Sequence, residues 1–278
     1  MISMKKLFSM CLYSIFKHIN RKKMKVLSLY FHNPSPENFE LIIKWAIKKK
    51  YNFIDLETFI KYLNAEISLN EKSIYFSFDD GWNGNIELIP ICEKYNVPIT
   101  IFVSIEPVIS GNFWWEYFKN EKDAYKKINR IKLEAEDKFK EEIKNAKFNN
   151  KLERSAITED ELNYLNYHPL VNIQSHSYTH PILTNLNEDS LDFDLKASKE
   201  YLEDKLNKEI NAFCYPNGSF EEREISFTMK YYKYAFSTIQ NFPQINSNLY
   251  TIPRIALTDD YWSNLAKITG GWHLLKKY

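Results

Sequence analysis

The chain has 278 residues, of which 44% are hydrophobic and 26% charged, a composition typical of a soluble globular protein with one large or two small domains. Its formal net charge of +1 argues against a general nucleic-acid binder, which normally carries a basic excess. The three cysteines form no pairing pattern, and such a sparse, odd set fits a reducing compartment.

The first 24 residues form a basic segment with an apolar centre. Two lysines precede the apolar stretch 7–16, and five basic residues follow it at positions 17, 18, 21, 22 and 23. This stretch is shorter than the about 20 residues of a membrane-spanning helix, and no small-residue cleavage site of a signal peptide is evident. We therefore expect segment 1–24 to lie on a membrane surface as an amphipathic element. A helix packed on the following domain is the alternative.

Short apolar runs alternate with amphipathic stretches over the remaining residues, 25–278. Ser35 and Pro36 provide an N-cap and a first-turn proline for one helix, and Thr158 and Glu161 form a capping box for another. The alternation predicts one α/β domain with a parallel sheet or a (β/α) barrel. Strands are predicted at 26–31, 73–78, 99–103, 171–174, 212–215 and 235–238, and helices at 36–49, from about 55, 85–95, from 158, 188–206 and 220–231.

A helical insertion interrupts this alternation at about 112–157. It begins with Phe113-Trp114-Trp115 and continues as a Lys/Glu-rich stretch with scattered apolar residues. The charged run predicts a solvated face, and a lid that covers the substrate is the alternative.

Two short motifs point to chemistry. Asp79 and Asp80 follow one predicted strand, and His176 and His180 follow another. One Asp and two His can fill one face of a divalent metal and leave positions open for water and substrate. The other Asp is then free to accept a proton from that water. Taken alone, two adjacent aspartates are typical of a turn. Two histidines at this spacing, taken alone, are typical of a pair on the surface or in the core.

Their placement at strand ends favours a functional site. Catalytic groups of α/β folds lie at the carboxyl ends of parallel strands. Further polar groups are expected at the same edge, since His32 follows the first predicted strand and Pro216-Asn217 the fifth. The sequence therefore predicts a metal-assisted hydrolase.

These motifs resemble those of the polysaccharide deacetylases, the NodB-homology group called carbohydrate esterase family 4. The Ser-Phe-Asp-Asp-Gly-Trp run at 77–82 is similar to the family's T-F-D-D-G motif, and the run at 176–181 matches its H-[ST]-x-x-H-P pattern. The Phe-Cys-Tyr-Pro-Asn-Gly run at 213–218 resembles the F-A-Y-P-Y-G version of its third motif. The resemblance extends from about residue 26 to the C-terminus, with the insertion as an interruption.

The resemblance implies a distorted (β/α) barrel of NodB type that removes an N-acetyl group from an amino sugar. Asp79 would be the general base. The metal would be held by Asp80, His176 and His180. Zn²⁺ suits this donor set best, and Co²⁺, Ni²⁺ or Fe²⁺ would also fit.

The third motif and Trp82 would contact the substrate. The backbone at Tyr215, Pro216 and Asn217 would help to bind the oxyanion. Trp82 would stack on a sugar ring, although aromatic residues are abundant here and mostly belong to the core.

The general acid is a first departure from the family pattern. The family's late L-x-H motif is absent, and His273 lies in a context that does not match it. One branch, which includes enzymes acting on poly-N-acetylglucosamine, has a Tyr-His pair at the end of the first strand. Tyr30-Phe31-His32 resembles a variant of this pair, so we expect His32 to be the acid. A structural histidine bonded to a strand-end carbonyl is the alternative.

A second departure concerns the arginine that orients the base in many family members. Cys214 occupies its place in the third motif, and Arg254 is the candidate that supplies a guanidinium from another strand. A bidentate pair with Asp79 would fix the carboxylate and lower its pKa. A surface arginine on an edge strand is the alternative.

Together these observations predict a metal-dependent sugar N-deacetylase of surface-polysaccharide biosynthesis, acting on an N-acetylated glycan or sugar precursor. We expect a cytoplasmic enzyme at the inner membrane face, through segment 1–24, with no nucleic-acid partner. Two alternatives are a deformylase or other amidase acting on a lipid-linked amino sugar and an inactive glycan-binding protein. The sequence predicts no oligomeric state.

Overall fold

The computed structural model describes residues 4–19 and 22–272, in which strands and helices alternate. The strands are β1 (Val26–Phe31), β2 (Tyr51–Ile54), β3 (Lys72–Phe78), β4 (Ile99–Val103), β5 (Val171–Ser175), β6 (Ala212–Cys214), β7 (Tyr234–Phe236) and β8 (Ile255–Ala256). The helices are α1 (Met4–Ile19), α2 (Pro36–Lys48), α3 (Leu56–Leu63), α4 (Ile89–Tyr95), α5 (Ile105–Ser110), α6 (Ala124–Ile131), α7 (Glu136–Asn149), α8 (Glu159–Tyr167), α9 (Glu188–Leu206), α10 (Glu222–Thr228) and α11 (Tyr261–Ile268).

The strands form one curled, parallel sheet in the order β7-β6-β5-β4-β3-β1-β8, and β2 pairs with the first half of β3. A segment near the C-terminus joins the two ends of the sheet. Ile252 exchanges backbone hydrogen bonds with the β7 region, and β8, three residues later, pairs with β1. The distorted (β/α) barrel predicted from the sequence is confirmed.

Successive residues of the strands face opposite sides of the sheet. In β3, Ile74, Phe76 and Phe78 belong to the large core beneath the helices. Tyr75, between them, packs inside the curl against Phe236. Burial on both faces explains why these strands are continuous apolar runs in the sequence. It also directs every second residue past a strand end towards the interior of the barrel.

Four elements of the described chain were not predicted, namely β2, β8, α5 and α11. The two strands have only four and two residues, too few for a periodic signal. The helix expected at 85–95 is a 3₁₀ turn, Asn83–Leu88, followed by α4. Pro90, in the first turn of α4, cannot donate the backbone hydrogen bond that a continuous helix would need there.

The basic N-terminal segment contains a helix, α1, that packs on α11. Ser9 and Leu12 are buried, and the Tyr13 ring lies 6.4 Å from that of Trp262. The Trp45 indole N–H also donates to the Tyr13 hydroxyl at 3.2 Å. One face of α1 is therefore part of the domain. None of the helices in the described ranges is long and apolar enough to cross a bilayer.

Phe39→Ala tests the packing of the core on the helix side of the sheet. The ring is fully buried and lies 5.4 to 6.1 Å from those of Phe31, Phe76 and Phe78. We expect a loss of roughly 3–5 kcal/mol in the free energy of unfolding, measured by urea denaturation, because the truncation leaves a cavity. Phe148→Ala is the matched control, since that ring is 90% exposed and its loss should change little. Equal effects of both variants would contradict this packing.

Candidate active site

The predicted site residues meet at one edge of the sheet, where the strands end. His32 follows β1, Asp79 and Asp80 follow β3, and His176 follows β5. They line a cavity of about 630 Å³ together with His180, Trp82, Tyr215 and Asn217. Two predicted residues, Arg254 and Pro216, are buried behind the cavity wall.

Asp80 and the two histidines form a compact ligand group. Oδ1 of Asp80 lies 3.3 Å from Nε2 of His176 and 3.3 Å from Nε2 of His180. The three side chains are buried, and their ligand atoms lie within 4.8 Å of one another. One carboxylate and two imidazoles suit Zn²⁺ and similar ions, with further positions left for water and substrate.

The surroundings of these ligands also fit a metal. Nδ1 of His176 lies 2.7 Å from the carbonyl oxygen of Cys214, a contact that leaves Nε2 with the lone pair a metal needs. The indole N–H of Trp82 donates to Oδ2 of Asp80 at 2.8 Å. Although burial raises the pKa of Asp80, the neighbouring histidines hold it well below its ordinary value. The Trp82 indole therefore helps to orient the Asp80 carboxylate, and the sugar stacking expected of Trp82 stays a prediction.

A second set of groups, Asp79, His176 and Cys214, is equally compact but fits a metal less well. Burial raises the pKa of the Cys214 thiol, which keeps it protonated, and only the thiolate is a good metal ligand. Asp79 is already neutralised by a cation. The geometry therefore points to the Asp80 group as the metal site.

The cation beside Asp79 is Arg254, and the contact predicted between them is present. Nη1 and Nη2 donate to the two carboxylate oxygens at 2.7 and 2.8 Å. The remaining donors bind Ser77 Oγ at 3.0 Å, Cys214 Sγ at 2.9 Å and the Ser237 carbonyl at 3.1 Å. The side chain is fully buried, so the surface position considered as the alternative is wrong.

This pair sets the protonation state of Asp79. Burial by itself raises the pKa of the carboxyl group, but the charge and hydrogen bonds of Arg254 outweigh it and lower the pKa below its ordinary value. The carboxylate is therefore ionised and fixed, with its side chain at the cavity wall.

The loop between the two histidines is held by a residue that the sequence did not single out. Asp194 of α9 is buried and accepts hydrogen bonds from the backbone N–H groups of Tyr178 and Thr179, both at 3.0 Å. Ser177 and His180 have φ values of +73° and +54°, a conformation that costs energy for residues other than glycine and needs support from its surroundings. In the sequence, Asp194 is only one more acidic residue of an amphipathic helix.

The insertion forms one wall of the cavity. Trp115, Ile128 and Lys132 line it, and the Lys132 ammonium donates to Oδ1 of Asn217 at 2.6 Å. The indole N–H of Trp114 also donates to the His180 carbonyl at 3.0 Å. Sequence reasoning missed these contacts because they join positions far apart in the chain.

The third motif offers fewer oxyanion donors than expected. The backbone N–H of Tyr215 donates to the Phe236 carbonyl at 3.2 Å, and Pro216 has no N–H. Of the three predicted residues, Asn217 is left as the candidate backbone donor.

His32 has an exposed side chain that lines the cavity, with its ring 5.7 Å from that of Tyr30. The carbonyl oxygen of His32 accepts a hydrogen bond from Asn85 Nδ2 at 2.9 Å. His273, the later histidine, lies outside the described residues.

Comparison with known proteins agrees with this geometry. A family model described as polysaccharide deacetylase matches residues 66–235, more than half of the chain. The chain belongs to the polysaccharide deacetylase family. This family assignment makes it a hydrolase of the carbohydrate-esterase type, as the motifs predicted.

Individual relatives are similar at lower identity. The chain is 27% identical to poly-beta-1,6-N-acetyl-D-glucosamine N-deacetylase of Staphylococcus aureus over 244 residues, which are 87% of this chain and 73% of that protein. Its fold is similar to that of Streptococcus pyogenes deacetylase PplD in complex with acetate, with a TM-score of 0.64, 17% identity and coverage of 88% and 97% of the two chains. IcaB from Ammonifex degensii gives the same TM-score and coverage at 15% identity.

Asp194→Asn tests whether the polysaccharide deacetylase needs this carboxylate to hold its histidine loop. An amide can accept only one of the two backbone hydrogen bonds in the same geometry, so the loop should loosen. We expect roughly 10–100-fold weaker zinc binding, measured by competition with a chelating dye. Asp192→Asn, on the same helix and paired with Lys230 at the surface, is the matched control. Unchanged affinity in Asp194→Asn would show that the loop is rigid without it.

Proposed function

We propose that this protein is a metal-dependent N-deacetylase that acts on an N-acetylated amino-sugar glycan, or its precursor, in surface-polysaccharide biosynthesis. The observation that carries the proposal is the convergence of Asp80, His176 and His180 beside the Asp79–Arg254 pair in one cavity. The name of the S. aureus relatives, which specifies poly-beta-1,6-N-acetyl-D-glucosamine, supports this class of glycan. A cytoplasmic location remains a prediction.

The proposed reaction begins at Asp79. Its ionised carboxylate accepts a proton from the attacking water, whose oxygen bonds to the acetyl carbon. A divalent ion held by the Asp80 group would polarise the acetyl carbonyl and neutralise charge as it develops. The N–H of Asn217 would donate to the oxyanion of the tetrahedral intermediate. Both partners of Asn217, Lys132 and Ser219, fix its side-chain amide.

Breakdown of the intermediate requires a proton on the leaving amine. We assign this step to His32, whose exposed ring lines the cavity on the side of β1. As the proton moves to nitrogen, the C–N bond breaks, and acetate leaves with the oxygen of the attacking water. The free amine remains on the sugar.

The walls of the cavity suit a sugar ring. The half-buried Trp115 side chain of the insertion lies among its lining residues, together with Thr238 and Gln240 as hydrogen-bonding groups. Apolar walls with a few placed polar groups are typical of small-ligand sites. Retention of Asp79 argues against an inactive glycan-binding protein, because the metal group does not include it.

Acetate release from N-acetylglucosamine polymers and other N-acylated sugars tests the proposal. We expect metal-dependent release by the wild type, and a loss of roughly 10²–10⁴-fold in kcat/KM for both Asp79→Asn and His32→Ala, because each removes a proton-transfer group. Metal content should stay unchanged in both variants.

Other outcomes of this experiment separate the alternatives. Release of formate without acetate would assign the site to a deformylase. Metal binding without release from any substrate would contradict the enzyme proposal, and undiminished turnover by Asp79→Asn would remove Asp79 from the mechanism. Loss of metal in His32→Ala would make His32 a ligand.

The pH profile of Arg254 variants tests the role of the guanidinium. Asp79 acts as a base only when ionised, so activity is lost as the pH falls through its pKa, which Arg254 lowers. Arg254→Ala should therefore shift the acid limb of the kcat/KM profile to higher pH. In this variant burial raises the pKa of Asp79, and no guanidinium is present to lower it. Arg254→Lys retains the charge and should shift the limb less. Identical acid limbs in all three proteins would contradict the assignment.

A further inference from the structure

A second pocket lies at the opposite edge of the sheet from the active site. It has a volume of about 330 Å³ and is lined by four basic side chains, three aromatic rings and Met24. None of these lining residues is acidic. The basic residues are Lys17, His18, Lys49 and Lys72, and the aromatic ones are Tyr13, Trp45 and Tyr51.

The basic groups of this pocket have no carboxylate partners within the described ranges of the chain. The Lys17 and Lys72 ammonium groups lie over the rings of Tyr13 and Tyr51, at 5.4 and 5.3 Å from the centroids. The Trp45 ring, also part of the pocket lining, stacks on that of Tyr51 with centroids 5.6 Å apart. Several uncompensated cations in a preformed concavity form a site for an anionic group such as a phosphate.

The helix that contributes Lys17 and His18 also carries an exposed apolar stripe. Met4, Leu7, Cys11, Ile15 and Ile19 follow one another at spacings of three or four residues, which places them on one face of α1. All five are exposed, Met4 by 89% and Ile19 by 68%. The buried residues of α1 lie on a different face, so the stripe faces away from the domain.

We propose that this surface, the stripe of α1 together with the basic pocket, docks on an anionic phospholipid bilayer. The stripe would enter the interface of the bilayer, and a lipid phosphate would occupy the pocket. Charge complementarity selects this partner, because an acidic lipid surface offers negative headgroups for the lysines of the pocket and an apolar layer for the stripe. The inference does not depend on the proposed reaction.

The pocket and the active site lie at different ends of the strands. Tyr51 and Lys72 are the first residues of β2 and β3, whereas the active site lies past the last residues of the strands. A strand of this length separates the two edges by roughly 20 Å. A lipid phosphate in the pocket would therefore lie at the edge of the sheet opposite the active-site cavity.

Flotation of the full chain with vesicles tests the proposal. We expect binding to vesicles of equal parts phosphatidylcholine and phosphatidylglycerol, weak binding to phosphatidylcholine alone, and a decrease with added salt. Lys17→Gln/Lys49→Gln should bind about 30-fold more weakly, since each lysine near an anionic surface contributes roughly fivefold. Lys122→Gln/Lys151→Gln removes the same charge from the insertion and should bind as the wild type does.

The stripe has its own pair of variants. Leu7→Glu/Ile15→Glu should abolish vesicle binding, while Leu133→Glu/Phe148→Glu, at exposed apolar residues of the insertion, should not. Melting temperatures and acetate release from a soluble substrate check that each variant is folded. The proposal is overturned if the wild type does not float, if the insertion variants lose binding instead, or if the pocket binds inorganic phosphate without any vesicle association.

Discussion

The site depends on the burial of two adjacent carboxylates. Asp79 and Asp80 are each at most 3% exposed, and a buried charge is costly unless a partner compensates it. The two neighbours face different sides of one strand end, so each meets a different partner. Asp79 meets the Arg254 guanidinium, and Asp80 meets two imidazoles that suit a metal. One strand end thus supplies the carboxylate of the proposed base and that of the candidate metal group, and the two do not compete for the same cation.

Neighbouring residues keep Asp79 and Asp80 with their separate partners. Trp82 takes the second oxygen of Asp80, and Cys214 provides a carbonyl for His176 and a thiol for Arg254. The small thiol also explains the change from the family's third motif. An arginine at position 214 would have to share the space and the carboxylate that Arg254 occupies, so the guanidinium reaches Asp79 from another strand.

Much of this could be predicted from the sequence, because the main strands are short, continuous apolar runs and the ligands follow them in recognisable motifs. The partnership of Arg254 with Asp79 was one of two open alternatives, since only the closure of the sheet brings residue 254 to the end of β3. Asp194, Trp114 and Lys132 could not be predicted. Each acts through a contact between distant segments, and none differs in local pattern from an ordinary helix or loop residue.

The position of Arg254 has a consequence for biosynthesis. The motifs that supply Asp79 and both histidines leave the ribosome well before residue 254, which lies on the segment that joins the two ends of the curled sheet. Until that segment docks, Asp79 lacks the guanidinium that binds both of its carboxylate oxygens. The pair that fixes the proposed base is therefore completed only when the sheet closes, after the motifs that carry the ligand group have been synthesised.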